Sequence, residues 1–291
     1  IGSLDFQMSG QHYQPRDSSA ISLEDINSFA ETYESEKSFD SNLAAVLLHS
    51  TSVGGARPKC LITIDNNDYV AMKLASLVGL NVAQVELNSL LGRDILLVKR
   101  FDRVYEGKKT CRKLMLSGLS LLGLNEMEAR YVSYPDLADI IRQKFCQPKE
   151  TLRELFGRLV FNVLIGNTDD HARNHAAFWD GRSLNLTPAY DICPQQRVGQ
   201  EASQAMLING EMNNLSTLQN VISISNKFLL SCDEANSIAQ AQIKIIETHW
   251  DELCDQAKLA ARDKETLWHN VVLSDFCFIG DRPSFNNKPQ A

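Results

Sequence analysis

The sequence predicts an α+β fold of two lobes, a small mixed-sheet lobe over residues 1–103 and a mainly helical lobe over residues 104–291. Two observations support this division. In the first hundred residues, β-branched and apolar residues alternate in short runs, which is typical of strands. After about residue 110, apolar residues recur at helical spacing instead. With 291 residues of which 44% are hydrophobic, the chain can bury a core large enough for two lobes.

Composition argues against several classes of protein. The formal net charge of -7 is unfavourable for a protein that coats nucleic acid. No apolar run approaches the roughly 20 residues of a membrane span, so we expect a soluble protein with no membrane association. The seven cysteines are scattered and form no Cys-x-x-Cys pair, which indicates reduced, mostly buried thiols in a cytoplasmic protein and no zinc site. Because the chain begins at Ile1, we expect it to be part of a longer product.

The first lobe is expected to begin with short elements that alternate between strand and helix. A strand is predicted over residues 1–9, and a helix over residues 18–33 begins with an acidic capping box from Ser22 to Asp25. A short helix follows in "NLAAVLLHS". The stretch "TSVGGARPKCLITID" then combines a glycine turn with a strand.

The same lobe is predicted to end with one helix and one hairpin. Apolar residues of "DYVAMKLASLVGL" recur at helical spacing, and Gly79 is a suitable C-terminal cap. These apolar residues are Val70, Leu74, Leu77 and Val78. The stretch "AQVELNSLLGRDILLVKRFDR" contains two strand-like runs around Gly92, which predicts a β-hairpin.

The second lobe contains the strongest helix signal of the chain. "TLRELFGRLVFNVLIG" presents one apolar face, with Thr151 and Glu154 as a capping box at its start and Gly166 at its end. The apolar face consists of Leu152, Leu155, Phe156, Leu159, Val160, Val163 and Leu164. An Asp-Gly turn at Asp180 predicts a hairpin, and residues 214–273 are expected to be helical again.

The polar run between that helix and the hairpin concentrates the residues that could carry chemistry. Asp169 and Asn174 are five residues apart, and Asp191 follows the hairpin. Phosphoryl transfer needs a carboxylate that orients the attacking hydroxyl, and oxygen ligands that hold Mg²⁺ on the phosphates. Kinase catalytic loops use an Asp-x-x-x-x-Asn spacing followed later by a metal-binding Asp. The pattern therefore predicts a phosphoryl-transfer site.

A plainer interpretation stays open, because loops rich in Asp and Asn often only cap the neighbouring helices. We assign Asp180 to the turn itself and His175 to hydrogen bonding within the loop. The upstream stretch "SVGGARPK" favours chemistry, because its glycines let backbone N–H groups approach phosphate and Arg57 or Lys59 adds positive charge. "LLVKRFDR" at residues 96–103 is expected to connect the lobes, and adenine would lie against it.

Five segments of the chain, spread over residues 40–195, resemble the hallmark segments of the HipA family of serine/threonine kinase toxins, in the family's order. They are "TSVGGARPK", "AMKLASLVGLNVAQVEL", "LLVKRFDR", "LIGNTDDHARN" and "LTPAYDI". The resemblance implies a two-lobed protein-kinase-like fold that uses ATP and Mg²⁺. It also implies phosphorylation of an aminoacyl-tRNA synthetase, typically the glutamyl enzyme. The implied partner is a helix-turn-helix antitoxin, which neutralises the toxin and is its only link to operator DNA.

The resemblance also assigns roles to individual residues. Asp169 would be the catalytic base, and Asn174 and Asp191 would bind Mg²⁺. Ser52 would be the autophosphorylation site that switches the kinase off, with the two residues before it as adjacent candidates. The residues implied to contact the nucleotide are Gly54, Gly55, Ala56, Arg57, Pro58, Lys59, Lys99, Arg100, Phe101, His171, Ala172, Arg173, Asn174, Tyr190 and Asp191.

One feature of the family is missing from the sequence. The family places an ATP-contacting lysine on a strand between the glycine loop and the "AMKL" helix, and this strand is absent here. Lys73 lies on the helix, where we expect it at the solvated surface. Either the chain is a catalytically impaired corepressor partner of an antitoxin, or a segment is missing from the sequence, which we favour. A small-molecule phosphotransferase that uses the same three polar residues is a further alternative.

Overall fold

A computed structural model describes residues 66–90, 93–106, 109–196, 199, 201–209 and 213–279. The predicted strand at residues 1–9, the two helices predicted before residue 51, and the glycine loop with its strand lie outside these residues. Within the described residues, no helix is long and apolar enough to cross a membrane.

The first described elements confirm the predicted helix and hairpin. Helix α1 spans Asn67–Leu77, and the antiparallel strands β1 and β2 span Val85–Leu90 and Arg93–Val98. Val70 and Leu74 are buried, whereas Leu77 is 45% exposed, so the apolar face is narrower than predicted. Gly79 follows the helix with a φ of +87°, a left-handed conformation that glycine adopts without strain.

Strands continue further along the chain than the sequence indicates. Strands β3, β4 and β5 span Arg103–Glu106, Lys109–Arg112 and Leu114–Ser117. The expectation that helices begin near residue 110 is therefore wrong. Strand β5 pairs with β6 (Ala176–Trp179), which in turn pairs with β7 (Leu184–Leu186). Local periodicity carries no information about a partner strand so far along the chain, and the short β3–β4 hairpin lacks an apolar alternation.

The turn between β6 and β7 confirms the prediction for Asp180. Its Oδ1 accepts hydrogen bonds from the backbone N–H groups of Arg182 and Ser183, both at 2.8 Å. Gly181 has a φ of +101°. Both features are typical of an Asp-Gly hairpin turn, so Asp180 has a structural role.

Two short helices and one longer helix connect β5 to the central helix of the structure. Helix α2 spans Gly118–Leu121, a 3₁₀ helix spans Glu126–Tyr131, and α3 spans Tyr134–Lys144. Helix α3 begins with a capping box, in which Ser133 and Asp136 each accept a hydrogen bond from the other's backbone N–H. This cap fixes the position of Tyr134, whose side chain is fully buried.

Helix α4 (Pro148–Ile165) is the central helix of the structure, and residues 155–165 are all buried. It begins one turn earlier than predicted, so the expected capping box is wrong. Thr151 instead donates its hydroxyl hydrogen to the carbonyl oxygen of Gln147, and Glu154 pairs with Arg158. A proline at the first helical position needs no N–H partner, which favours the earlier start. Gly166 ends the helix with a φ of +70°, as predicted.

The remaining helices confirm the prediction of a helical C-terminal region. Helices α5, α6 and α7 span Leu218–Ser223, Cys232–Gln256 and Ala261–Asn270, and short 3₁₀ helices span Ser225–Phe228 and Asp275–Phe278. Helix α6 packs against both α1 and α4, and Gln242 donates to the carbonyl oxygen of Gly157 at 3.0 Å. The described cysteines are free thiols, as expected: Cys111, Cys146, Cys193, Cys232, Cys254 and Cys277. Of these, only Cys254 and Cys277 are buried, so the expectation of mostly buried thiols is wrong.

Candidate active site

The polar loop at residues 167–175 begins directly at the end of α4. Gly166 allows the chain to turn, because a side chain at this position would lie 2.5 Å from Cγ1 of Val271. Asn167 then bonds back to Asn162, by its backbone N–H at 2.9 Å and by its side chain at 3.0 Å. The backbone N–H of Ala205 donates to the carbonyl oxygen of Thr168 at 2.9 Å. The loop is therefore attached to the core at its first residues.

The carboxylate of Asp170 is the buried anchor of this loop. Its Oδ2 accepts hydrogen bonds from the hydroxyl of Tyr134, from Nδ2 of Asn162 at 2.8 Å and from Nε2 of His175 at 2.9 Å. Burial opposes the charge of Asp170, but the charge of His175 and the hydrogen bonds outweigh it and hold the pKa of Asp170 below its usual value. Burial, followed by the charge of Asp170, raises the pKa of Tyr134 well above its usual value.

Asp169 and Asn174, the predicted catalytic base and metal ligand, occupy the two ends of the loop. Asp169 is exposed to solvent, whereas Asn174 is 7% exposed. The backbone N–H of Asn174 donates to the carbonyl oxygen of His171 at 2.8 Å, and its Nδ2 donates to the carbonyl oxygen of Asp169 at 3.4 Å. The loop thus brings the two residues together, with the carboxylate accessible from outside.

Asp191, the second predicted metal ligand, lies on a segment that is bonded to the loop. The hydroxyl of Tyr190 donates to the carbonyl oxygen of Arg173 at 2.7 Å. Burial, and then the negative charge of Asp191, raises the pKa of Tyr190. Asp191 is exposed and has a φ of +61°, a left-handed conformation that Asp adopts more readily than most other non-glycine residues.

The segment before Asp191 is also bonded to the linker between α1 and β1. Residues 82 and 189 form a parallel bridge, and the backbone N–H of Ala189 donates to the carbonyl oxygen of Asn81 at 2.7 Å. The buried guanidinium of Arg158 donates to the carbonyl oxygens of Thr187 at 2.8 Å and Asn81 at 3.2 Å. Glu154 accepts from both Arg158 and the backbone N–H of Asn81. One ion pair on α4 therefore holds both segments in place.

The predicted hinge consists of Lys99, Arg100 and Phe101, and Phe101 is the residue that contacts the site. The ring of Phe101 packs against Tyr190, with 5.6 Å between the ring centroids. Nζ of Lys99 donates to the side chain of Gln84 at 3.0 Å. Arg100 pairs with the buried Asp102 at 2.6 Å, so both charged side chains of the hinge have protein partners.

The middle residues of the loop differ in their surroundings. Nδ1 of His171 is buried and has no hydrogen-bond partner among the described residues. Ala172 is buried, and its carbonyl oxygen accepts from the backbone N–H of Leu119 at 3.3 Å. Arg173 is half-exposed and forms an ion pair with the exposed Glu126. Of the three, His171 has the polar atom that a bound molecule could satisfy.

Several predicted site residues lie outside the described part of the chain. They are Ser52, Gly54, Gly55, Ala56, Arg57, Pro58 and Lys59. Lys73 is described: it lies on α1 as expected, with Nζ 5.4 Å from the centre of the Tyr69 ring, and it is partly buried rather than fully solvated.

The donor atoms of the site fit Mg²⁺ that is held together with phosphates. Among the residues described, no cluster of three His, Cys, Asp or Glu side chains could hold a metal ion alone. Mg²⁺ commonly takes one or two protein carboxylates and completes its coordination with phosphate oxygens and water. Nδ2 of Asn174 faces Asp169, which leaves Oδ1 for a cation, and Asp191 supplies an exposed carboxylate. These two residues match that kind of site.

The sequence prediction missed the residues that hold the site. Asp170, Tyr134, Asn162 and Arg158 are all at most 3% exposed, yet each carries a polar group. The available signal was the position of Asn162 and Arg158 within an apolar helix, because a buried polar residue needs a partner. Nothing comparable distinguishes Asp170 from Asp169 in the sequence.

The fold and the site together define a two-lobed, protein-kinase-like α+β protein. The structure is similar to that of a HipA chain in the solved complex of the Shewanella oneidensis toxin–antitoxin system with HipB and operator DNA. The similar region covers 69% of this chain. The match covers 53% of that chain, with a TM-score of 0.60 and 21% identity. At this identity the similarity establishes the fold.

The chain belongs to the HipA-like C-terminal domain family, whose model matches residues 51–258. Similar proteins include the serine/threonine-protein kinase toxin HipA of Shewanella oneidensis, 26% identical over 142 residues, and Y4mE of Sinorhizobium fredii, 29% identical over 136 residues. These matches cover 43% and 45% of this chain. They cover 33% and 32% of the relatives, so the chain spans about a third of their length. The resemblance inferred from the sequence is thereby confirmed.

Proposed function

We propose that the chain forms the catalytic part of a toxin-type serine/threonine protein kinase, which transfers the γ-phosphate of ATP to a protein serine. The observation that carries the proposal is the loop with Asp169 and Asn174 at its ends, anchored in the core and bonded to the segment of Asp191. The division into lobes after residue 103 is part of the proposal.

In the proposed reaction, Asp169 accepts the proton of the acceptor hydroxyl, and the hydroxyl oxygen bonds to the γ-phosphorus. The bond between the γ-phosphorus and the β–γ bridging oxygen breaks, and ADP leaves. The exposure of Asp169 supports this role, because a protein substrate must reach the carboxylate. Asn174 and Asp191 would hold Mg²⁺, which neutralises charge on the phosphates when bound. The fixed loop supports catalysis by positioning, the main contribution of a protein to phosphoryl transfer.

The nucleotide would lie between the hinge and the loop. The contact of Phe101 with Tyr190 supports an apolar surface for adenine on this side of the site. The unpartnered Nδ1 of His171 supports a polar contact with the nucleotide. By family resemblance, the stretch from Gly54 to Lys59 would cover the phosphates, and phosphorylation of Ser52 would switch the kinase off.

The proposed partners follow from the family. The solved HipA relative forms a complex with HipB and operator DNA, which supports a helix-turn-helix antitoxin as the partner of this protein. The net charge of -7 supports an indirect contact with DNA, through that antitoxin. We propose an aminoacyl-tRNA synthetase, of the glutamyl type by resemblance, as the phosphorylated substrate, and the cytoplasm as the location.

The first test is the intact mass of the full chain before and after incubation with ATP and Mg²⁺. The wild type is expected to gain phosphate that maps to Ser52 or a neighbouring hydroxyl. Asp169→Ala and Asp191→Ala are expected to gain none. Asp180→Ala serves as the matched control, because this turn carboxylate is exposed and is expected to leave transfer intact.

Transfer by wild type and control, but not by the two site variants, would support the kinase. No gain by wild-type protein that starts unphosphorylated would contradict autophosphorylation. It would favour either the corepressor with an impaired site or the small-molecule phosphotransferase. Equal gain by Asp169→Ala would remove that residue from the role of base.

A further inference from the structure

The buried pair Asp170–His175 repeats, one residue further along the chain, the spacing of Asp169 and Asn174. Nε2 of His175 lies 2.9 Å from Oδ2 of Asp170. Both side chains are buried, at 3% and 5% exposure, whereas Asp169 faces solvent. At the start of the loop, Asp169 is exposed and its neighbour is buried, whereas at the end both Asn174 and His175 are buried. We refer to the buried pair as the clasp.

We propose that the clasp, together with Tyr134 and Asn162, sets the distance between Asp169 and Asn174, so that Asp170 and His175 are positioning residues of the site. The inference rests on the proposed function for the roles of Asp169 and Asn174. The existence of the clasp rests on the geometry alone.

The clasp is attached to two helices, α3 and α4. Tyr134, at the start of α3, donates its hydroxyl hydrogen to Oδ2 of Asp170. Nδ2 of Asn162, in the last turn of α4, donates to the same oxygen at 2.8 Å. Since three donors converge on a single carboxylate oxygen, Asp170 has little freedom to move relative to either helix.

Backbone contacts hold the same loop from the side of β5 and α2. The backbone N–H of Gly118 donates to the carbonyl oxygen of His175 at 2.6 Å, and Leu119 donates to Ala172 at 3.3 Å. A side chain at Gly118 would lie 2.8 Å from the carbonyl oxygen of Ala172, so the two segments are in close contact. Removal of the clasp therefore loosens the spacing of the loop ends while these backbone bonds keep the loop in place.

The experiment compares Asp170→Ala with Tyr134→Phe in the full chain. Asp170→Ala removes the acceptor of three hydrogen bonds. Tyr134→Phe removes only one donor and keeps the ring, so this variant tests the proposal if Asp170→Ala does not fold. Gln242→Met is the matched control, because Gln242 is a buried polar residue that bonds to Gly157, away from the loop.

Two quantities are measured for each variant. One is backbone hydrogen exchange over residues 167–175 without nucleotide. The other is the affinity for Mn²⁺, observed by electron paramagnetic resonance in the presence of a non-hydrolysable ATP analogue. Residues that orient metal ligands typically change metal affinity by about 10–100-fold. We expect a loss in this range for Asp170→Ala, a smaller loss for Tyr134→Phe, and faster exchange in the loop for both.

The control separates positioning from stability. Gln242→Met is expected to lower the melting temperature without changing Mn²⁺ affinity or exchange in the loop. If Asp170→Ala and Tyr134→Phe behave like the control in both measurements, the proposed positioning role of the clasp is overturned. If the wild type binds no Mn²⁺ with the analogue, the proposed metal role of the site fails, while hydrogen exchange still decides whether the clasp holds the loop.

Discussion

The hydroxyl of Tyr190 donates a hydrogen bond to the carbonyl oxygen of Arg173 at 2.7 Å. Arg173 directly precedes Asn174, and Tyr190 directly precedes Asp191. This one bond therefore joins the two segments that carry the proposed Mg²⁺ ligands. The same ring packs against Phe101 at 5.6 Å, so Tyr190 also connects these segments to the predicted hinge.

Replacement of Tyr190 by Phe is expected to weaken phosphoryl transfer and leave the fold intact. The variant loses one hydrogen bond, worth about 1 kcal/mol, and keeps the ring that contacts Phe101. Because 1.36 kcal/mol corresponds to a tenfold change in rate, a loss of about 1 kcal/mol predicts about a fivefold lower rate. We also expect the variant to need a higher Mg²⁺ concentration. Initial rates at varied Mg²⁺ measure both. Tyr131→Phe, at a 52% exposed position, is the control, and rates equal to wild type for Tyr190→Phe would contradict the prediction.

Replacement of Gly166 by Ala is expected to destabilise the protein strongly. The φ of +70° strains any other residue, and the new methyl carbon would lie 2.5 Å from Cγ1 of Val271. Left-handed strain of about 1–2 kcal/mol and overpacking of about 1–3 kcal/mol together predict a loss of roughly 2–5 kcal/mol in the free energy of unfolding. Urea denaturation measures this loss.

Gly181→Ala is the matched control for Gly166→Ala. Gly181 also has a positive φ, of +101°, but beyond its two chain neighbours no atom lies within 4 Å of the position of the added carbon. Only the backbone strain applies there, so we expect a smaller loss. Equal losses for the two variants would mean that contact with Val271 does not contribute.

The stability that Asp170 contributes is expected to depend on acid pH. Hydrogen bonds and the charge of His175 hold the pKa of Asp170 below its usual value, despite burial. A carboxylate with a lowered pKa stabilises the fold fully above the pKa of the unfolded chain, near 3.9 for Asp, and loses this effect as pH falls through the folded pKa. The free energy of unfolding of the wild type should therefore fall more steeply below about pH 4 than that of Asp170→Ala.

Urea denaturation of both proteins between pH 7 and pH 3 measures this difference. Contributions from other carboxylates are common to the two proteins and largely cancel. A difference in unfolding free energy that stays constant over the whole range would show that Asp170 does not titrate between the folded and unfolded states in this way.

Elements with local causes could be predicted from the sequence. Helix α4 ends at Gly166 because glycine adopts a φ of +70° without strain. The Asp180 turn forms because the Asp180 side chain accepts hydrogen bonds from the backbone N–H groups of Arg182 and Ser183. Both causes are contained within a few residues. The loop spacing of Asp169 and Asn174, and its position directly after α4, are local in the same sense, and the structure brings these two residues together.

Elements with distant partners could not be predicted. Strand β5 pairs with β6, and Arg158 bonds to carbonyl oxygens 29 and 77 residues away. The same holds for Glu154, which accepts a hydrogen bond from the backbone N–H of Asn81, 73 residues away. Periodicity describes which face of an element is apolar, but it does not identify the residue that the face will meet.

Asp169 and Asp170 show this limit most clearly. By itself the sequence determined that a carboxylate and an amide, five residues apart, follow a buried helix. Only the tertiary structure decided which of the two adjacent aspartates faces solvent and which is buried. Tyr134, 36 residues earlier, and Asn162 in α4 provide donors at one point in the core. A buried carboxylate is stable only where such donors meet it, so the fold as a whole selects Asp170 for the core and leaves Asp169 exposed.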